Sequence, residues 1–429
     1  MGEYRIIGGK KLKGHIKIGG SKNAVLPILA ATVLGKKSII HNCPKISDTY
    51  CTIDILKELG CDVTFEGHTI TVDARGIKSY KLSRRHVEKM RSSIIFAGGL
   101  LGRFKRFSTH HPGGCKLGAR PIDMHIEAFR SLGAKIDDDT DINGTANRLM
   151  GTVIPLSSPS VGATQNIMLA AVLAKGKTTI RNAAREPEII DLQNFLIAAG
   201  ANISGAGSSE IIIEGVKELS DVEYEIMPDR IVAGTYLAAA AATGGSIRLD
   251  NIAYENIMPI TKILQRTGAE IYPSYKSVTI NAPKYLNGAG YVTTDPHPGF
   301  PTDMQPQLTA VLSAAKGDST IEETIFESRD EHVAELVKMG ASIRNVGGRK
   351  FHIVGVEHLH GTTVFAKDLR GGAAMILAGL RAEGESIVKN SIYVERGYEA
   401  IHHDLQSLGA DIKLLDDFEE KVLVVASDM

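Results

Sequence analysis

A chain of 429 residues is longer than one hydrophobic core usually fills, about 250 to 300 residues, so its length predicts two domains. Hydrophobic residues at 43% and charged residues at 23% are ordinary globular values, which argues against global disorder. Lysine plus arginine (49) equals aspartate plus glutamate (49), so there is no overall basic field to attract nucleic acid or an anionic membrane, and any anion site must be local.

The opening stretch, MGEYRIIGGKKLKGHIKIGG, lacks the apolar core of a signal peptide, and its sixth residue, Ile6, breaks the myristoylation pattern. No later run approaches the roughly 20 apolar residues of a membrane span. The four cysteines, Cys43, Cys51, Cys61 and Cys115, have no C-x-x-C spacing, which predicts free thiols in a reducing compartment and no structural metal. Together these features predict a cytoplasmic protein.

Further along, one phrase keeps returning: leucine, a glycine, a small residue, a spacer and a β-branched residue. Its six copies, LKELGCDV, FRSLGAKI, LIAAGANI, LQRTGAEI, LVKMGASI and LQSLGADI, centre on Gly60, Gly133, Gly200, Gly268, Gly340 and Gly409, at intervals of 73, 67, 68, 72 and 69 residues. Six copies of a unit of about 70 residues follow. Before each glycine the apolar residues have helical spacing, as in Ile53, Leu56 and Leu59, and the glycine suits a left-handed helix cap. After it, stretches such as ANISGAGSSEIIIEGV read as a two-stranded hairpin. Upstream, small-residue helices such as TYLAAAAATGG are apolar nearly all round, which predicts burial against other helices. Each unit thus reads helix, strand, helix, strand, strand. The count divides into two groups of three, with crossings near residues 18–22 and 227–230; a closed ring of six is the alternative.

Cationic residues in small-residue surroundings fall into two repeat-equivalent sets. Lys22, Arg91 and Arg370 stand 38, 42 and 39 residues before their repeat glycines, and Arg120, Arg329 and Arg396 stand 13, 11 and 13 before theirs. If such positions open helices, free backbone N–H groups and the macrodipole favour anions, and an arginine adds a forked contact to phosphate or carboxylate. Within HHPGGCKLGARPIDMH, Cys115 lies among glycines with Lys116 and Arg120 nearby, a setting that favours a reachable thiolate; the other three cysteines read as structural. The glycines of the loop 112–121 suggest a lid that closes over substrate. Asp303, in HPGFPTDMQPQ, reads either as a helix N-cap or as a general base. The histidine pairs at 110–111 and 402–403 are adjacent residues expected to point apart.

The phrases SKNA at 21–24, PGGCKLGARPIDMH at 112–125, SVGAT at 160–164, AAREPEI at 183–189 and FPTDMQPQ at 300–307 together resemble the UDP-N-acetylglucosamine enolpyruvyl transferase family, in that family's order and over the whole chain. The resemblance implies an α/β fold, a two-domain inside-out α/β barrel of six βαβαββ repeats, three per domain. Residues 1–21 with 230–429 would form one domain and 22–229 the other. It further implies transfer of the enolpyruvyl group of phosphoenolpyruvate to the 3'-hydroxyl of UDP-N-acetylglucosamine with release of phosphate, the first committed step of peptidoglycan synthesis. No cofactor, metal, nucleic acid, membrane or obligatory protein partner is implied.

By motif, Cys115 resembles the acid that protonates the donor's methylene carbon and can form an adduct with it, and Asp303 resembles the base on the sugar hydroxyl. Lys22, Asn23, Arg120, Arg329, Arg370 and Arg396 resemble the phosphoenolpyruvate ligands. Asn23, Arg91, Arg120, Pro121, Ile122, Asp123, Met124, Ser160, Val161, Gly162, Asp303 and Ile325 resemble the contacts to the nucleotide sugar. A cysteine in the loop implies inactivation by fosfomycin-like epoxides. Two rivals are the sister reaction on shikimate 3-phosphate, disfavoured by the cysteine loop, and a non-catalytic nucleotide-sugar sensor, disfavoured by the retained Cys115 and Asp303.

Overall fold

A computed structural model describes residues 2–113 and 122–415. They divide into two compact units, one of residues 2–18 and 229–415, the other of 19–113 and 122–228. The divisions fall at 18/19 and 228/229 because both passes of the chain are fastened to the second of these units: Ser21 N donates to Met227 O at 2.8 Å, and Gly20 pairs with Pro228.

Six sheets are present among the described residues, five of four strands and one of three. Each four-stranded sheet has one parallel pair and two antiparallel pairings. In the 229–415 unit, Lys13–Lys17 runs parallel to Ser246–Asp250, which pairs with the hairpin Glu270–Ser274/Ser277–Asn281. Gly290–Thr293 does the same for Asp318–Glu322, and Thr363–Phe365 for Glu385–Lys389. The last sheet is closed by the start of the chain, Glu3–Ile7, which lies antiparallel between Glu385–Lys389 and Asp411–Leu415. In the other unit the late strand Val222–Glu225 runs parallel to the early strand Lys37–His41. Strand burial alternates, as in Lys177–Arg181, so one face of each sheet is left for helices to cover.

Three of those helices in each unit are buried nearly all round: Lys22–Ala31, Ile95–Phe104 and Val161–Ala171 in one, Arg230–Thr243, Gln305–Leu312 and Leu369–Arg381 in the other. Their alanines and glycines allow backbones to approach closely. At Gly98 a β-carbon would stand 2.4 Å from the Asn166 carbonyl oxygen, so only glycine fits where Ile95–Phe104 packs on Val161–Ala171. None of the described helices is long and apolar enough to cross a membrane.

The six repeat glycines all have positive φ, +100°, +95°, +99°, +99°, +93° and +93° for Gly60, Gly133, Gly200, Gly268, Gly340 and Gly409. A side chain at those angles is strained, which is why the glycine persists where each helix turns into its hairpin. A second repeating device is an asparagine directly after the strand that pairs in parallel. Asn42, Asn182, Asn251 and Asn390 have φ of +59°, +57°, +60° and +66°. Each donates its Nδ2 to the carbonyl just beyond the parallel partner: Ile226, Leu156, Ile18 and Ala366, at 2.9 to 3.2 Å. In the remaining two sheets the same position is His110 and Glu323. The expectation that His402 and His403 point apart is corrected: their rings lie 4.1 Å apart on the helix Ile401–Ser407.

Gly98→Ala should destabilise the protein by about 2 to 3 kcal/mol, the cost of overpacking a rigid helix contact, read as a lower urea midpoint.

Candidate active site

A buried cluster of charge lies in the 229–415 unit. Pro301 precedes a single 3-10 turn, Thr302–Met304, that runs directly into Gln305–Leu312 and presents Asp303 sideways. Arg329 Nη1 meets Asp303 Oδ1 at 3.0 Å, and Arg370 Nη2 meets Oδ2 at 2.9 Å. Both arginines are almost completely buried, at 5% and 3% exposure. Burial alone would raise the Asp303 carboxyl, but the charges of Arg370 and Arg329 outweigh it and hold it well below the usual carboxylate range. The N-cap reading of Asp303 is therefore corrected: the turn and the helix start without a side-chain cap, and the carboxylate is held by guanidiniums.

Arg370 stands at the second position of Leu369–Arg381, whose N-terminus is capped by Asp368 accepting from Arg370 N and Gly371 N at 2.9 and 3.0 Å. Its Nη1 also reaches Tyr398 Oη at 3.4 Å, and Tyr398 Oη lies 2.8 Å from Thr235 Oγ1, to which Gln307 Nε2 donates at 3.2 Å. Arg329 lies over the Phe326 ring at 4.6 Å and donates from Nη1 to Thr302 Oγ1 at 2.9 Å. Arg396 ends the turn Ser391–Arg396, two residues before Tyr398. Ile325 is 37% exposed.

The other unit carries two groups. Lys22 opens the helix Lys22–Ala31, ahead of the partly buried Asn23, and its Nζ lies 2.8 Å from Asp48 Oδ2 in the first turn of Ser47–Leu59. Arg91 opens the 3-10 turn Arg91–Ile94 that leads into Ile95–Phe104. Ile122 is buried and Asp123 exposed at the start of Asp123–Ser131, and Met124 packs against the core. Ser160 caps Val161–Ala171 by accepting from Ala163 N at 3.3 Å, and a β-carbon on Gly162 would sit 3.1 Å from His125 Cε1.

His125 was given no role by the sequence. Asn166 Oδ1 accepts from Gly98 N, so its Nδ2 is the donor to Ile94 O and to His125 Nδ1 at 2.7 Å. The ring proton accordingly sits on Nε2. Burial and the charge of Arg91 push the His125 pKa down to about 4, and protonation of Nδ1 would face two donors at each other.

The family model described as EPSP synthase (3-phosphoshikimate 1-carboxyvinyltransferase) matches residues 6–405. A UDP-N-acetylglucosamine 1-carboxyvinyltransferase of Caldanaerobacter subterraneus is 48% identical over 96% of this chain and 99% of that protein, and one of Clostridium botulinum is 43% identical over 96% and 99%. This chain belongs to the UDP-N-acetylglucosamine 1-carboxyvinyltransferase family. Among solved structures, the enolpyruvyl transferase NikO from Streptomyces tendae shares the fold at a TM-score of 0.86 and 24% identity, covering 96% of this chain and 98% of that one. An EPSP synthase from Acinetobacter baumannii does so at 0.75 and 17%, covering 97% and 100%.

Of the residues that resemblance to this transferase family selects, Cys115, Arg120 and Pro121 lie outside the described residues. The structure brings Asp303, Arg329 and Arg370 into direct contact. Burial pushes the Cys43 and Cys61 thiols up to about 12 and 11, so neither supplies a thiolate near neutral pH. Among the described residues, no group of three or more His, Cys, Asp or Glu is placed to hold a metal ion. Tyr398, Thr235, Gln307 and Asp48 went unselected because isolated polar residues carry no sequence pattern.

A histidine whose pKa is lowered on folding takes up its proton in the unfolded chain first. Its neutral form therefore supports the fold above about pH 6.5, and that support is lost as pH falls toward 4. Between pH 7 and 4 the wild type should lose on the order of 3 kcal/mol more unfolding free energy than His125→Asn, whose side-chain oxygen still accepts from Asn166. Urea unfolding across that range checks the difference.

Proposed function

We infer that this enzyme transfers the enolpyruvyl group of phosphoenolpyruvate to the 3'-hydroxyl of UDP-N-acetylglucosamine, releasing phosphate, in the first committed step of peptidoglycan synthesis. The observation that carries the reading is Asp303 gripped by Arg329 and Arg370 within the phrase FPTDMQPQ, a base candidate beside two anion ligands. The same reading places the enzyme in the cytoplasm. It also interprets the six sheets as βαβαββ units, three per domain, in an inside-out α/β barrel with domains 1–21/230–429 and 22–229.

In the addition step the sugar hydroxyl passes its proton to Asp303 while its oxygen bonds to C-2 of the donor, and the Cys115 thiol protonates the methylene carbon. In the elimination step that carbon returns a proton to the Cys115 thiolate, the double bond re-forms, and phosphate leaves with the electrons of its C–O bond and takes up the proton held by Asp303. Lys22, Arg120 and Arg396 take the donor's phosphate and carboxylate, with Arg329 and Arg370 adding countercharge where negative charge is concentrated. Arg91, Arg120 to Met124 and Ser160 to Gly162 take the nucleotide, largely through backbone N–H groups, which is compatible with a buried Ile122 side chain. Asn23 reaches the sugar, and Ile325 forms a wall beside it.

A carboxylate held by two guanidiniums is a poor base. The donor's own anionic groups compete for Arg329 and Arg370, and their release raises the proton affinity of Asp303 when the substrate is present. Phosphate release should occur with phosphoenolpyruvate and UDP-N-acetylglucosamine and not with shikimate 3-phosphate; no turnover of the nucleotide sugar would sink the assignment. Asp303→Asn should lower kcat by about 10² to 10⁴ with little change in KM.

For Cys115, an acid role predicts that Cys115→Asp still turns over while escaping inactivation by a fosfomycin-like epoxide. Complete loss of turnover would instead make the covalent adduct obligatory.

A further inference from the structure

Glu323 occupies the position that holds the latching asparagine in four of the six sheets, directly after the strand Asp318–Glu322. It is 1% exposed, and its carboxylate accepts from four donors. Oε1 takes Thr294 Oγ1 at 3.0 Å, Ile325 N at 2.8 Å and Phe326 N at 3.0 Å. Oε2 takes Thr302 Oγ1 at 2.9 Å. Thr294 directly follows Gly290–Thr293, where the other repeats offer a carbonyl to asparagine. The tie to the residue beyond the parallel partner is thus kept on one side, and the remaining carboxylate capacity holds two segments that an asparagine would not.

Those segments are the residue beside Asp303 and the backbone of Ile325. Because the Thr302 hydroxyl has a single proton and gives it to Glu323, its lone pair is turned toward Arg329 Nη1, at 2.9 Å. Arg329 Nη1 carries two N–H protons and directs them at Thr302 Oγ1 and Asp303 Oδ1, at 2.9 and 3.0 Å, so Thr302 helps to fix how the guanidinium meets the carboxylate. Without Thr302 Oγ1, that nitrogen would keep Asp303 but lose its other acceptor, and with it a constraint on how the guanidinium is oriented.

We propose that Glu323 is a positioning residue for the transfer: through Thr302 it orients Arg329 against Asp303, and through two N–H groups it sets the segment carrying Ile325. The proposal rests on Asp303 being the base. A glutamine in its place keeps one oxygen for the Ile325 and Phe326 N–H groups but turns a donor toward Thr302, whose hydroxyl then accepts twice and loses its defined orientation.

The test is steady-state kinetics with both substrates on Glu323→Gln, Thr302→Val, Thr302→Ser, Asp303→Asn and the double variant of Glu323→Gln with Asp303→Asn. Glu323→Gln and Thr302→Val should each lower kcat at least about tenfold with the KM for UDP-N-acetylglucosamine changed less than about threefold, and Thr302→Ser should restore kcat to within about twofold. In the Asp303→Asn background Glu323→Gln should cost less than about twofold, because the relay then has no base to act on. Wild-type kcat in Glu323→Gln, normal turnover in Thr302→Val, or a full Glu323→Gln penalty on top of Asp303→Asn would each overturn the relay. Wild-type kcat in Asp303→Asn overturns the base assignment and the relay together, whereas loss there beside an unimpaired Glu323→Gln overturns the relay only. If Glu323→Gln does not fold, Thr302→Val carries the test, since it leaves the carboxylate and its contacts to Ile325 and Phe326 in place.

Discussion

Two guanidiniums withdrawn from water beside one carboxylate constrain most of what surrounds them. Arg329 and Arg370 are too deeply buried to be left without an anion, since an uncompensated buried charge costs several kcal/mol. Asp303 supplies that anion, which pins the turn Thr302–Met304 to the start of Leu369–Arg381. Each remaining donor of the cluster then needs an acceptor of its own. Tyr398, Thr235 and Gln307 form a neutral chain reaching Arg370, and Asp368 takes the helix N–H groups nearby, so the excess positive charge stays local and ordered.

The repeated scaffold makes the departures from it informative. Four units close the space between helix, sheet and hairpin with the same left-handed asparagine, a solution that needs only one donor and one carbonyl. The two units that abandon it do so with ionisable residues. His110 sits 2.6 Å from Asp141, five residues before Cys115 in the chain, and Glu323 precedes the segment with Ile325 and Arg329. A locally consistent sequence breaks its own rule where a requirement other than folding is being met.

Much of the frame is legible in the sequence because its physical demands are severe. A helix that must end in a left-handed residue selects glycine strongly enough for six positions to stand out, and all six have positive φ. Lys22, Arg91 and Arg370 can be seen as a set because repeat spacing carries them to helix or 3-10 starts. Asp303 is harder: cap and base want the same residue type before a helix, and only coordinates show its oxygens on arginines. Tyr398 and Thr235 are 163 residues apart in the chain, a separation at which no local pattern links them. Glu323 hides in the run IEET, indistinguishable there from a solvated charge. The adjacent rings of His402 and His403 depend on rotamers, which residue spacing does not specify.

The same charge balance that secures the fold sets a condition on the chemistry. With both arginines engaged, the Asp303 carboxyl is held well below the usual carboxylate range, so on the proposed mechanism the free enzyme holds a weakened base. A substrate that brings a carboxylate and a phosphate offers the guanidiniums competing anions, and any share they transfer is returned to Asp303 as basicity. Arg370 is tied on three sides, by Asp303, Tyr398 and its own capped helix, and Arg329 by Asp303, Thr302 and the Phe326 ring. On that mechanism, proton abstraction from the acceptor is favoured by a bound donor, which would couple the two substrates through the buried ion pair.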